Sequence, residues 1–149
     1  MAALPGARHY LNGNSSQTMN FQGLVPVLQC QNIEQTLAFY QRALRYIIVN
    51  KTDGPEGLQW VHLKSDNTFL MLQNASSTSD NQPGSGKIVL HYYTSDVAAQ
   101  HQFMTARGIK VGEIENTPYY MTQFLVRDPE GNEIVIGQDT RKHVLADKL

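Results

Sequence analysis

The sequence predicts an α+β protein in which two β-α-β-β-β modules stand in series and their curved sheets form a cup. Three observations predict it. First, 64 positions separate Val25 from Val89, and the stretch Val25-Pro26-Val27-Leu28-Gln29-Cys30 returns at that offset as Val89-Leu90-His91-Tyr92-Tyr93-Thr94, with Phe39 falling on Phe103. Second, each copy continues from its strand into a helix and then into three more strand-like stretches. Third, the strands alternate so that one face is uniformly apolar, as a sheet packed on a helix requires.

Taken in order, the first strand covers residues 23–30. Asn32 offers an N-cap, with Gln35 three residues on in the manner of a capping box. Ile33, Leu37, Tyr40 and Leu44 follow at i, i+4, i+7 and i+11, one apolar stripe of an amphipathic helix. Strands at 46–51, 58–64 and 68–73 are divided by turns at Gly54-Pro55 and Asp66-Asn67. A polar, Gly/Pro/Ser-rich connector runs from Asn74 to Gly86. The second module opens with a strand at 87–94. Ser95 or Asp96 caps a helix reaching Arg107, where Gly108 suits a left-handed terminus. Short strands near 110–114 and at 121–127 lead to the turn Asp128-Pro129-Glu130-Gly131-Asn132, and Ile134, Val135 and Ile136 form the last strand. The expected organisation is an extension at 1–20, a single domain at 21–139 (module one 21–75, linker 76–86, module two 87–139) and a tail at 140–149.

A length of 149 residues suits one compact domain, or two modules sharing a core. The net charge of −1 and scattered basic residues give no electrostatic footprint for nucleic acid or a membrane surface. No apolar run approaches the roughly 18 residues needed to span a bilayer. Cys30 is the only cysteine, which excludes an internal disulfide and suits a reducing, cytoplasmic setting. The leader is rich in Gly, Asn, Ser and Ala and lacks the apolar stretch of a secretory signal.

The segment Asn32-Ile33-Glu34-Gln35-Thr36-Leu37-Ala38-Phe39-Tyr40 and the hairpin Arg127-Asp128-Pro129-Glu130-Gly131-Asn132-Glu133-Ile134, set in a duplicated chain, resemble motifs of the vicinal oxygen chelate superfamily. That superfamily groups glyoxalase I, bleomycin-resistance proteins and extradiol dioxygenases. The resemblance covers about residues 21–139 and implies a cup-shaped fold. It also implies four places at which the enzymes hold a divalent metal, and these correspond to Val25, Met71, Val89 and Val135 here. Three valines and a methionine lack the N and O donors such a metal needs. A slip of one residue would point those side chains into the helix-facing core instead. The character is thus closest to the metal-free bleomycin-resistance branch, whose members are homodimers with cavities at the subunit junction.

Strand parity places Val61, Leu63, Leu70 and Leu72 on the helix side, together with Pro26, Leu28, Cys30, Phe124, Val126, Ile134 and Ile136. It leaves Trp60, His62, Phe69, Met71, Gln73, Val27, Gln29, His91, Tyr93, Gln123 and Leu125 towards the cup. Trp60, Phe69 and Tyr93 offer a stacking surface for a flat ligand, although sheets favour aromatic residues for packing alone. His62 and His91 are hydrogen-bond partners for a ligand, or ordinary polar residues on half-buried strands. No nucleophile or paired carboxylate stands with them, so no catalytic residue is assigned.

The expected function is binding of a small, partly aromatic molecule in an apolar cup without metal or other cofactor, acting by sequestration. The ligand-binding residues would be Trp60, His62, Gln73, His91, Tyr93, Gln123, Met71 and Gln29. The partners would be that ligand and a second copy of the chain. The alternative is a metal-dependent lyase, epimerase or dioxygenase of the same fold with an atypical site.

Overall fold

The computed structural model describes residues 20–75 and 88–141. Most of the leader, the connector with Lys87, His9, His143 and the last part of the tail lie outside the described residues. In chain order the elements are β1 (Val27–Cys30), α1 (Ile33–Leu44), β2 (Ile47–Gly54), β3 (Gly57–Ser65), β4 (Thr68–Asn74), β5 (Val89–Tyr93), α2 (Val97–Ala106), β6 (Glu115–Asn116), β7 (Met121–Arg127) and β8 (Glu133–Asp139). Two four-stranded sheets form, ordered β1-β4-β3-β2 and β5-β8-β7-β6. In each, the first strand runs parallel to the last and the other pairings are antiparallel. The repeat is preserved in space: α1 opens at Ile33 and α2 at Val97, β3 at Gly57 and β7 at Met121, both pairs 64 positions apart.

The helix-facing sides carry the core. Leu28, Cys30, Val61, Leu63, Leu70 and Leu72 in the first sheet, and Phe124, Val126, Ile134 and Ile136 in the second, are all buried in one cluster. Each large apolar side chain removed from water stabilises the fold by about 1.5–3 kcal/mol, so parity is strongly held by this alternation.

Several elements differ from the sequence expectation for identifiable reasons. Strand β1 begins only at Val27, because Pro26 has no N–H to donate; its carbonyl still accepts from Met71 N at 2.9 Å. The expected strand at 110–114 reduces to one bridge between Val111 and Val126, and the short pairing shifts to β6. Gly112 lies there with its Cα so close to Leu125 that an added Cβ would stand 3.3 Å from the Leu125 carbonyl oxygen. The buried stripe of α1 is Ile33, Thr36, Tyr40 and Ala43, with Leu37 and Leu44 at its flank. Thr36 is tolerated in the core because its hydroxyl donates to Asn32 O at 2.9 Å and Glu130 Oε2 at 3.1 Å.

The capping box is also altered. Asn32 Oδ1 accepts from Gln35 N at 3.0 Å as expected. The reciprocal acceptor comes from the other module: Glu130, in the turn between β7 and β8, accepts from Gln31 N and Asn32 N, each at 3.0 Å. Beside it, Asp128 accepts the Tyr40 hydroxyl at 2.7 Å and holds its own turn through Glu130 N, Asn132 N and Asn132 Nδ2. The turn of the second module thus seats on the N-terminus of the first helix. At the far end of α1, Arg42 donates to the Arg107 carbonyl, and Arg45 and Arg107 both stack on the Phe103 ring.

Candidate functional site

The faces turned away from the helices carry the candidate site. Across the first sheet, register sets Val27, Met71 and His62 in one row and Gln29, Gln73 and Trp60 in the next. The rings of Trp60 and His62 lie 6.1 Å apart, and those of His62 and Phe69 5.7 Å apart. Across the second sheet the rows are His91, Val135 and Leu125, then Tyr93, Gly137 and Gln123. His91 and Tyr93 stand 6.0 Å apart. Gly137 serves this face by its lack of a side chain: an added Cβ would come within 2.5 Å of the Met121 methyl that lies across it.

A cleft of about 700 Å³ opens between the modules. Its walls are the chain entering β1 (Gln22 to Pro26), the start of β4, and residues 90–93 of β5. Of the eight expected ligand residues, the cleft brings together His62, His91 and Tyr93, with Phe69 and Val25 beside them. Trp60 is half-buried next to His62 but does not line the cleft. Gln29 and Gln73 are exposed and hydrogen-bond each other at 3.4 Å. Met71 sits between Val27 and His62, and Gln123 is buried in the second sheet at 8% exposure. No charged side chain lines the cleft among the described residues. Glu133 pairs with Arg127 at 3.3 Å on the surface.

Two polar atoms on these faces stand out energetically. His62 Nε2 and Gln123 Oε1 are buried with no hydrogen-bond partner. Most such atoms in folded proteins are satisfied, and each one left unpaired costs about 1–3 kcal/mol.

Three hydroxyls in the cleft wall were not anticipated. Tyr46 Oη lies 3.0 Å from Thr68 Oγ1 and 2.9 Å from Tyr92 Oη, and Thr68 Oγ1 donates to Ser65 O at 2.7 Å. Burial, followed by the neighbouring Tyr46, holds the Tyr92 phenol well above its ordinary range, so it stays protonated. Tyr46 stands just before β2, and Tyr92 alternates between two cup-facing residues. Neither therefore carries a periodic signal, and only the packing of one module on the other joins them. Cys30, on the helix side, is inert: burial pushes its thiol from 9.0 up to about 12.

The four places where metalloenzymes of this fold place ligands do not fit a metal. Val25 lines the cleft, Met71 is half-buried, Val89 is exposed opposite Glu133, and Val135 is buried beside His91. None supplies a nitrogen or oxygen donor. Among the described residues, no three His, Cys, Asp or Glu side chains are grouped to hold an ion.

Residues 23–136 match the family described as Glyoxalase/Bleomycin resistance protein/Dioxygenase superfamily. Similar solved structures include TioX from Micromonospora sp. ML1 (17% identity, TM-score 0.68, covering 80% of this chain and 99% of that one). A bleomycin-binding protein complexed with bleomycin is similar at 18% identity and TM-score 0.64, over 79% of this chain and 98% of that one. Lactoylglutathione lyase from Agrobacterium tumefaciens is similar at 20% identity and TM-score 0.64, over 80% and 96%. At these identities the likeness is one of fold. No curated protein matches the chain in sequence.

Proposed function

Since the chain belongs to the Glyoxalase/Bleomycin resistance protein/Dioxygenase superfamily, we propose that it binds a small, partly aromatic molecule without metal and acts by sequestering it. The observation that carries this reading is the pair of orphaned polar atoms on the cup faces: Nε2 of His62, a residue that lines the cleft, and Oε1 of Gln123, buried in the second sheet. A protein that only filled its cup with side chains would gain by replacing both residues with apolar ones. A ligand in the cleft that pairs with His62 recovers part of the cost while apolar walls remove it from water. The bleomycin complex of a protein with this fold supports the class of function. Bleomycin itself does not suit this cleft, because no carboxylate lines it to meet a cationic drug.

The reading includes a homodimer and a reducing cytoplasmic setting. Apolar side chains left open on the cup faces favour the first, among them Val89 at 53% and Tyr93 at 72% exposure. The lone buried thiol of Cys30 suits the second. The enzyme alternative would require a donor set that the described residues do not group.

The test is a thermal-shift and calorimetric panel of aromatic antibiotics and thiol conjugates against protein stripped with a chelator. A ligand that binds equally well before and after stripping, unchanged on recovery, is the expected result. Binding that returns only with added divalent metal, or chemical turnover of the ligand, would overturn the reading.

A further inference from the structure

The hydroxyls of Thr68, Tyr46 and Tyr92 have a determined direction. Each carries one proton. Thr68 spends its proton on the Ser65 carbonyl, which can only accept, at 2.7 Å. In the 3.0 Å contact between Tyr46 and Thr68, Tyr46 must therefore donate. Its proton is then committed, so Tyr92 must be the donor in the 2.9 Å contact between the two tyrosines. The relay ends at Tyr92 with every proton used, and Tyr92 Oη accepts nothing within it.

From this we infer that the cleft selects ligands that donate a hydrogen bond to Tyr92 Oη: neutral, planar aromatic molecules with an N–H or O–H at the ring edge. The inference rests on the binding reading above and specifies the chemistry of its ligand. Neutrality follows from the absence of a carboxylate among the described lining residues, since a desolvated ammonium would meet no counter-charge. Planarity follows from Phe69 and Tyr93 in the walls. His62 and His91 donate or accept according to their tautomers, and the Gln22 and Asn67 amides can do both, so these accommodate either kind of ligand and the relay makes the distinction. The raised Tyr92 phenol agrees with this direction, because a protonated Tyr92 is what the relay needs.

Three bicyclic probes of similar size separate the possibilities in calorimetric titrations of the full chain at neutral pH. Indole donates, 1-methylindole does neither, and quinoline only accepts. Indole is expected to bind about fivefold or more tightly than the other two, the effect of one hydrogen bond. Tyr92→Phe should abolish that preference while leaving 1-methylindole within about twofold, since the ring and its apolar contact remain. Tyr46→Phe should free the Tyr92 proton, so that quinoline gains severalfold over 1-methylindole. Circular dichroism establishes that each variant is folded, and the wild-type comparison stands without them. Equal binding of all three probes would overturn the donor rule and leave the binding reading in place. Binding by none would overturn both. An indole preference that survives Tyr92→Phe in folded protein would overturn the assignment to the relay.

Discussion

Glu130→Ala measures how much one side chain contributes to fastening the two modules. Its carboxylate accepts from Gln31 N, Asn32 N and the Thr36 hydroxyl. The two backbone donors are exposed and can turn to water, so their loss resembles the loss of a helix cap at about 1 kcal/mol. Thr36 is fully buried but keeps its bond to Asn32 O, so it contributes a fraction of a further hydrogen bond. Removing a negative charge from a helix N-terminus adds about 0.3–1 kcal/mol. The sum is about 2 kcal/mol, or roughly 4–8 °C in Tm for a domain of this size. Urea unfolding followed by fluorescence and circular dichroism measures it, with the m-value unchanged if both states keep their extent. Glu130→Gln keeps an acceptor but loses the charge, so it should cost about half as much. Hydrogen exchange at the Gln31 and Asn32 amides should quicken in the alanine variant before that of the strand cores. A midpoint shift worth less than about 0.5 kcal/mol, or a glutamine variant as damaged as the alanine one, would refute the argument.

Trp60→Ala should weaken ligand binding by about 1–3 kcal/mol and leave the fold intact, because Trp60 stands beside His62 and outside the core cluster. Titration against wild type checks this, and either an unfolded variant or undiminished binding would contradict it. Gln123→Met removes a buried acceptor at similar volume, so the ligand-free protein should gain about 1 kcal/mol in a denaturation series; a loss of stability would mean that Gln123 is satisfied. Stability should decline as pH rises above about 9. Cys30, Tyr40 and Tyr92 all keep their protons more tightly when folded, so their contribution is complete below their unfolded values and lost above them. Alkaline unfolding curves test the sign, and native Cys30 should resist alkylating reagents at pH 8 until the protein is unfolded.

What was legible in the chain follows from the range of each interaction. Alternation along a strand is local and tied to burial, so Val61, Leu63, Leu70 and Leu72 could be set on the helix side and Trp60 and His62 on the other. The offset between modules was equally readable, because both copies must satisfy the same packing. Partnerships across the modules left no such trace. Glu130 lies 98 positions from Asn32 and looks like an ordinary turn residue. Tyr46 and Tyr92 meet only because two sheet edges come together. The same limit applies to the candidate site: parity found the cup-facing residues, yet only His62, His91 and Tyr93 of the eight line the cleft. Which members of a face border one opening depends on how two curved sheets are set against each other.

The latch at Glu130 works in one direction only. Counting back 64 positions from Glu130 gives Asp66, one carbon shorter and strained at φ 50°, and it makes no matching contact to α2 among the described residues. Helix α2 instead finds its N-terminal acceptors at home, in Asp96 and Gln138 of its own half. The halves are therefore not interchangeable parts, despite sharing a plan. Two copies of the first would have no bolt, while two copies of the second would have a bolt and no socket. A chain cut in the connector would leave the second half with both of its helix-end acceptors and the first half with Asn32 alone. The duplicated architecture is therefore asymmetric at its junction, where one half supplies the acceptor and the other receives it.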